Sequence, residues 1–156
     1  MNICLIGCGA IGKVLAKAIE GGKAGECKLI GIFDIEPNRM QQLSLSLRTK
    51  PKMFSNLEGI LSSKADLVVE AASQQAVRDF CSKIIASGKS IMIMSVGALV
   101  DRKLMEELRK AALKSGKKIY IPSGALCGLD GIKSASCAKI NMIKLTSKKS
   151  PAGFQG

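Results

Sequence analysis

Apolar residues along this chain fall into short runs separated by stretches in which they recur every three or four positions, the alternation expected of strands and amphipathic helices. The first run, Asn2 to Ile6, predicts a strand, and Val14, Leu15, Ala18 and Ile19 share one face of a helix that starts near Ala10 and is stopped by Gly21-Gly22. A second strand, Lys28 to Phe33, leads through Asp34 to Pro37, a favourable first-turn residue, and a helix carrying Met40, Leu43 and Leu47. A short run at Lys52 to Phe54, a brief helix at Leu57 to Leu61 and a buried strand at Asp66 to Glu70 come next. Ser73 is placed to cap a helix with Ala76, Val77, Phe80, Cys81, Ile84 and Ile85 at helical spacing, ending at Gly88. A strand at Ser90 to Met94, a helix from about Asp101 to Lys114 and a strand at Lys118 to Ile121 complete the pattern. Strands alternating with helices imply a parallel sheet covered on both faces, the doubly wound α/β arrangement.

Beyond Ile121 the pattern changes. Pro122 to Gly131 is rich in glycine without being polar, and a short helix and a strand at Lys139 to Leu145 are expected after it. We therefore expect one domain over residues 1–121 and, over 122–156, an interdomain segment with the first strand of a second α/β domain.

Composition narrows the class. The 156 residues are 47% hydrophobic and 3% aromatic, which excludes intrinsic disorder. The longest nearly apolar run, Ile91 to Val100, is about half the ~20 residues that span a bilayer, and Met1-Asn2-Ile3-Cys4 has no basic leader. A soluble, cytoplasmic protein without a membrane partner is expected. Six cysteines stand singly, with no C-x-x-C pair and no histidine, so buried thiols rather than a metal site are expected. The formal charge of +12 raises nucleic acid as a partner, but the scarcity of aromatics for base stacking favours a solvated surface and small anionic ligands.

Gly7-Cys8-Gly9-Ala10-Ile11-Gly12 lies between the first strand and its helix. Gly7 permits a tight turn, Gly9 lets backbone approach a pyrophosphate, and Gly12 lets the helix pack against the strand. The N–H groups of Ala10, Ile11 and Gly12 open the helix and face an anion. Asp34 follows about 20 residues on, at the end of the second strand, where a carboxylate accepts hydrogen bonds from the adenosine ribose. The domain therefore reads as a Rossmann-type doubly wound sheet that binds a dinucleotide. Asp34 favours NAD, because it repels a ribose 2′-phosphate; Arg39 close behind can pair with that phosphate, so NADP also stays open, and Lys13 can screen the pyrophosphate. Glu70-Ala71-Ala72-Ser73 and Ser95-Val96-Gly97-Ala98 end later strands at the same edge, and we assign Ala72, Ser73, Ser95 and Ala98 to cofactor contact.

The fingerprint, Asp34, Val68 to Val77, Ser95 to Leu99 and Pro122 to Asp130 together resemble the L-aspartate dehydrogenases of archaea and some bacteria. The Glu-Ala-Ala-Ser, Pro-Ser-Gly-Ala and Gly-Leu-Asp segments carry most of the selectivity, and the similarity runs from Met1 to about Lys149. The resemblance implies oxidation of L-aspartate with NAD or NADP to iminoaspartate, which gives oxaloacetate and ammonia or feeds NAD biosynthesis. It also implies a second α/β domain supplying the substrate pocket and a homodimer contact, and it places Ala125 beside the nicotinamide, with Ser123 and Gly124 on the same wall.

The family's acid/base histidine belongs to that second domain, and this chain contains no histidine at all. We therefore assign no catalytic residue; Lys133 and Lys139 are read as surface lysines. The expectation is a fragment that binds cofactor without its catalytic half. A stand-alone NAD-binding regulatory module, or the cofactor domain of a homoserine dehydrogenase or dihydrodipicolinate reductase-like enzyme, remains the alternative.

Overall fold

The computed structural model describes residues 1–123, 129–144 and 146. Its elements, in chain order, are β1 Asn2–Ile6, α1 Ala10–Glu20, β2 Lys28–Phe33, α2 Pro37–Ser46, β3 Lys52–Met53, α3 Leu57–Leu61, β4 Leu67–Glu70, α4 Gln74–Ala86, β5 Ser90–Ile93, a 3-10 helix Val96–Val100, α5 Arg102–Ser115, β6 Ile119–Tyr120 and α6 Leu129–Ala135. The chain divides into two units, Met1–Pro122 and Ser123–Gly156.

In the first unit a 6-stranded sheet runs β3-β2-β1-β4-β5-β6, with every pairing parallel. This is the doubly wound order, and the winding reverses between β1 and β4. Ile6 pairs with both Phe33 and Glu70, and Glu70 with Ile93, so these carboxyl ends come to a common edge. Ligands bind doubly wound sheets there, in the crevice where strand order reverses.

The central strands are buried on both faces, which is why they read as unbroken apolar runs rather than alternating ones. One face, with Ile6, Phe33, Val68, Ile91 and Ile93, is covered by Leu57 and Ile60 of α3, Val77, Cys81, Ile84 and Ile85 of α4, and Leu104 and Leu108 of α5. The other, with Ile3, Leu5, Ile32, Leu67 and Val69, is covered by Ala16 and Ile19 of α1 and Met40 and Leu43 of α2. Where propensity is weak, capping sets the helix starts. Ser73 accepts a hydrogen bond from the Ala76 N–H at 3.1 Å, and Asp101 accepts from the N–H groups of Lys103 and Leu104 at 2.9 and 3.3 Å.

Val96–Val100, which carries no helical periodicity, forms a 3-10 helix. One expectation is corrected. Residues 139–144 form no strand; alternating apolar residues become a strand only on a ladder partner, and Ile140, Met142 and Ile143 are exposed instead. Leu145 lies outside the described residues. Among the described residues no helix is long and apolar enough to cross a membrane.

Candidate functional site

The edge where β1, β2, β4 and β5 end is built around the turn after β1. Gly7 takes φ +94°, and its N–H donates to the Phe33 carbonyl at 2.8 Å, tying this turn to the end of β2. A Cβ on Gly7 would lie 2.5 Å from the Ala71 carbonyl oxygen, and one on Gly12 would collide with the Gly7 carbonyl oxygen. Both positions are thus closed to a side chain by neighbouring backbone. Gly9 differs: a Cβ there would meet nothing within 4 Å. It is also the N-cap of α1, where no side chain caps the helix and no acidic residue occupies the first turn. The first N–H groups of α1 therefore face open space beside Gly9, a cradle that suits a pyrophosphate. Ala10 and Ile11 are exposed, and Gly12 is buried against the turn.

Asp34 is fixed in place by two backbone donors. Its Oδ2 accepts from the Cys8 N–H at 2.7 Å and its Oδ1 from the Glu36 N–H at 2.9 Å. An ionised carboxylate has about four acceptor positions, so capacity is left for a ribose hydroxyl pair. Asp34 lines a cavity of about 140 Å³ with Gly7, Ala72, Ser73, Ala76 and Phe80. That is below the ~300–1,000 Å³ of whole small-molecule sites. Arg39 is half-exposed, and its guanidinium is already paired with Glu36 at 2.8 Å.

The segments after β4 and β5 are joined by a residue that sequence reasoning passed over. Glu70 is fully buried at the end of β4. Its Oε1 accepts from the N–H groups of Ala72 and Ser73 at 2.8 and 3.0 Å and from the Ser95 hydroxyl at 2.8 Å, while its Oε2 accepts from the Ser95 N–H at 3.1 Å. A signal was present, since a lone acid closing a buried apolar strand needs partners. Ala72 and Ser73 are exposed at the edge, Ser95 is half-buried with its hydroxyl turned to Glu70, and Ala98 is buried in the apolar cluster below. The structure thus gathers Gly7 to Gly12, Asp34, Ala72, Ser73 and Ser95 at one edge. Ala125 and Gly124 lie outside the described residues, and Lys133 and Lys139 are exposed.

Among the described residues, the buried thiols Cys4, Cys8 and Cys81 do not supply reactive groups here. Burial, reinforced by the Asp34 carboxylate, pushes the Cys8 thiol up to about 12. Burial and then Glu70 push Cys81 to about 12, and burial raises Cys4. Such thiols stay protonated at neutral pH and are poor nucleophiles.

Known proteins share both sequence and shape with this chain. A family model described as homoserine dehydrogenase, NAD binding domain, matches residues 7–122. The L-aspartate dehydrogenase of Methanosarcina mazei is 41% identical over 100% of this chain and 57% of its own length. That of Methanocaldococcus jannaschii is 38% identical over 99% of this chain and, again, 57% of its own. The chain thus spans a little over half the length of these curated relatives. Among solved structures, the WlbA dehydrogenase of Bordetella pertussis, in complex with NADH and UDP-GlcNAcA, superposes with TM-score 0.72 at 21% identity, covering 86% of this chain and 41% of that one. The apo scyllo-inositol dehydrogenase of Lactobacillus casei gives TM-score 0.69 at 17% identity, over 78% and 36%. These two likenesses speak for the fold.

Proposed function

This chain belongs to the family of homoserine dehydrogenase NAD-binding domains, and from that membership we propose that it is the cofactor-binding part of an L-aspartate dehydrogenase. The observation that carries the proposal is the cradle at the α1 N-terminus, open over Gly9 and flanked by Asp34. The 41% and 38% identity to L-aspartate dehydrogenases, which runs along this chain and over 57% of theirs, supports L-aspartate as the substrate.

In this reading Gly7, Gly9 and Gly12 shape the turn, and the N–H groups of Ala10, Ile11 and Gly12 bind the pyrophosphate. Asp34 binds the adenosine ribose and favours NAD over NADP. Ala72 and Ser73 line the middle of the site. Ser95 and the backbone around Ala98 support the nicotinamide half, with Ala125 on the same wall. NAD held by these residues would supply the hydride acceptor for oxidation at the substrate's α-carbon. The amine proton released in the same oxidation needs a base. The chain has no histidine, and its buried thiols Cys4, Cys8 and Cys81 are held protonated. We therefore assign the base, the aspartate pocket and a homodimer contact to a second domain, of which residues 122–156 are the beginning. A small anionic substrate suits a chain of net charge +12 through long-range attraction.

The purified chain should bind NADH and show no aspartate-dependent nicotinamide reduction. Turnover of aspartate by these residues alone would overturn the assignment of the base to a second domain. Absence of NADH binding would overturn the cofactor role.

A further inference from the structure

Glu70 is the least economical residue in the first unit if its only task is to end a strand. It is fully buried, and among the described residues no Lys or Arg forms an ion pair with it. A buried carboxylate without a cation persists only when donors compensate its lost hydration. Four do so, and they come from two places: Ala72 and Ser73 at the β4–α4 turn, and Ser95, 25 residues away, at the end of β5. The turn alone could be satisfied locally. The tie to Ser95 is the part that local structure does not require.

We propose that Glu70 is a positioning residue that locks the segment after β5 to the segment after β4, and so sets the wall against which the nicotinamide half of the cofactor rests. This rests on the dinucleotide-binding role proposed above. Sheet order separates the two halves of the site: Asp34 follows β2 on one side of β1, and Ser95 follows β5 on the other. At ~4.8 Å per strand these positions stand roughly 14 Å apart across the edge. The adenosine end is fixed independently of Glu70, through Gly7 to Phe33 and Cys8 to Asp34. The nicotinamide end depends on Glu70.

A carboxylate is required because all four partners donate. Glutamine has one acceptor and one donor end. Glu70→Gln with its carbonyl at the Oε1 position keeps the Ala72 and Ser73 N–H groups and the Ser95 hydroxyl, but presents an NH2 to the Ser95 N–H. The substitution thus loosens the β5 segment while leaving the β4–α4 turn held.

The test is calorimetric titration of the chain with NADH and, separately, with ADP, which fills only the adenosine and pyrophosphate half. Glu70→Gln is expected to weaken NADH at least about tenfold while ADP stays within about twofold of wild type. Ser95→Ala, which removes one of the four contacts and leaves the carboxylate in place, should give the same split at about threefold and serves if Glu70→Gln does not fold. Equal losses for NADH and ADP, or none for either ligand, would overturn the positioning role. Failure of the wild-type chain to bind either ligand would instead overturn the cofactor reading.

Discussion

Gly7→Ala places the sharpest demand on the structural account, because two separable costs meet at this position. The first is conformational: Gly7 sits at φ +94°, where an L side chain costs about 1–2 kcal/mol. The second is steric. The new Cβ would lie 2.5 Å from the Ala71 carbonyl oxygen and 2.7 Å from the Ala72 nitrogen, against 3.4 Å or more for an ordinary contact. Neither neighbour can swing aside, since both are backbone and the Ala72 N–H is held by Glu70. Overpacking against fixed atoms costs about 1–3 kcal/mol, so the substitution should remove about 2–5 kcal/mol in all. Gly22→Ala is the matched control: φ is +72° and a Cβ would meet nothing within 4 Å, leaving the conformational cost alone, about 1–2 kcal/mol. Urea denaturation of both variants reads the difference directly. NADH affinity should fall at least about tenfold in Gly7→Ala and stay unchanged in Gly22→Ala. Equal stability losses in the two variants would refute the claim that the fingerprint turn is pressed against the β4–α4 turn.

Asp34→Ala leaves the Cys8 and Glu36 N–H groups without their acceptor and should weaken NADH by about ten- to a hundredfold, narrowing any preference over NADPH; unchanged NADH affinity would contradict the role of Asp34. Removing a helix cap by Ser73→Ala or Asp101→Ala should each cost about 1 kcal/mol by urea denaturation, whereas a cap seen only on paper would cost nothing. Alkylation of the native chain followed by mass mapping should modify exposed Cys137 early and leave Cys4, Cys8 and Cys81 protected until the chain unfolds. For Cys81 the unfolded thiol ionises near 9.0 and the folded one near 12, so the folded state holds the extra proton between those values. Its contribution to stability is intact below about pH 9 and is lost as pH rises toward 12, and Cys81→Ala should flatten that part of the urea-midpoint profile.

Most of the sheet was readable because each central strand is a short run buried on both faces, and such runs need no partner information to be seen. Ser73 and Asp101 cap helices through contacts within three residues, which is the range sequence patterns cover. The edge strands are shorter than their apolar runs, two residues each in β3 and β6, because an edge strand is paired on one side only. The role of Glu70 was hidden for a different reason: its contacts to Ser95 join residues brought together by strand order, which no local pattern encodes. The 3-10 helix at Val96–Val100 has small residues and no amphipathic repeat, so it left no periodic trace. At residues 139–144 alternation was present, but among the described residues no strand pairs with it.

The cofactor role stands or falls on calorimetric titration of the purified chain with NADH. A single saturable site with dissociation constant of roughly micromolar to millimolar is predicted, abolished by closing the cradle with Gly9→Val. No heat of binding and no thermal stabilisation at about millimolar NADH would contradict it.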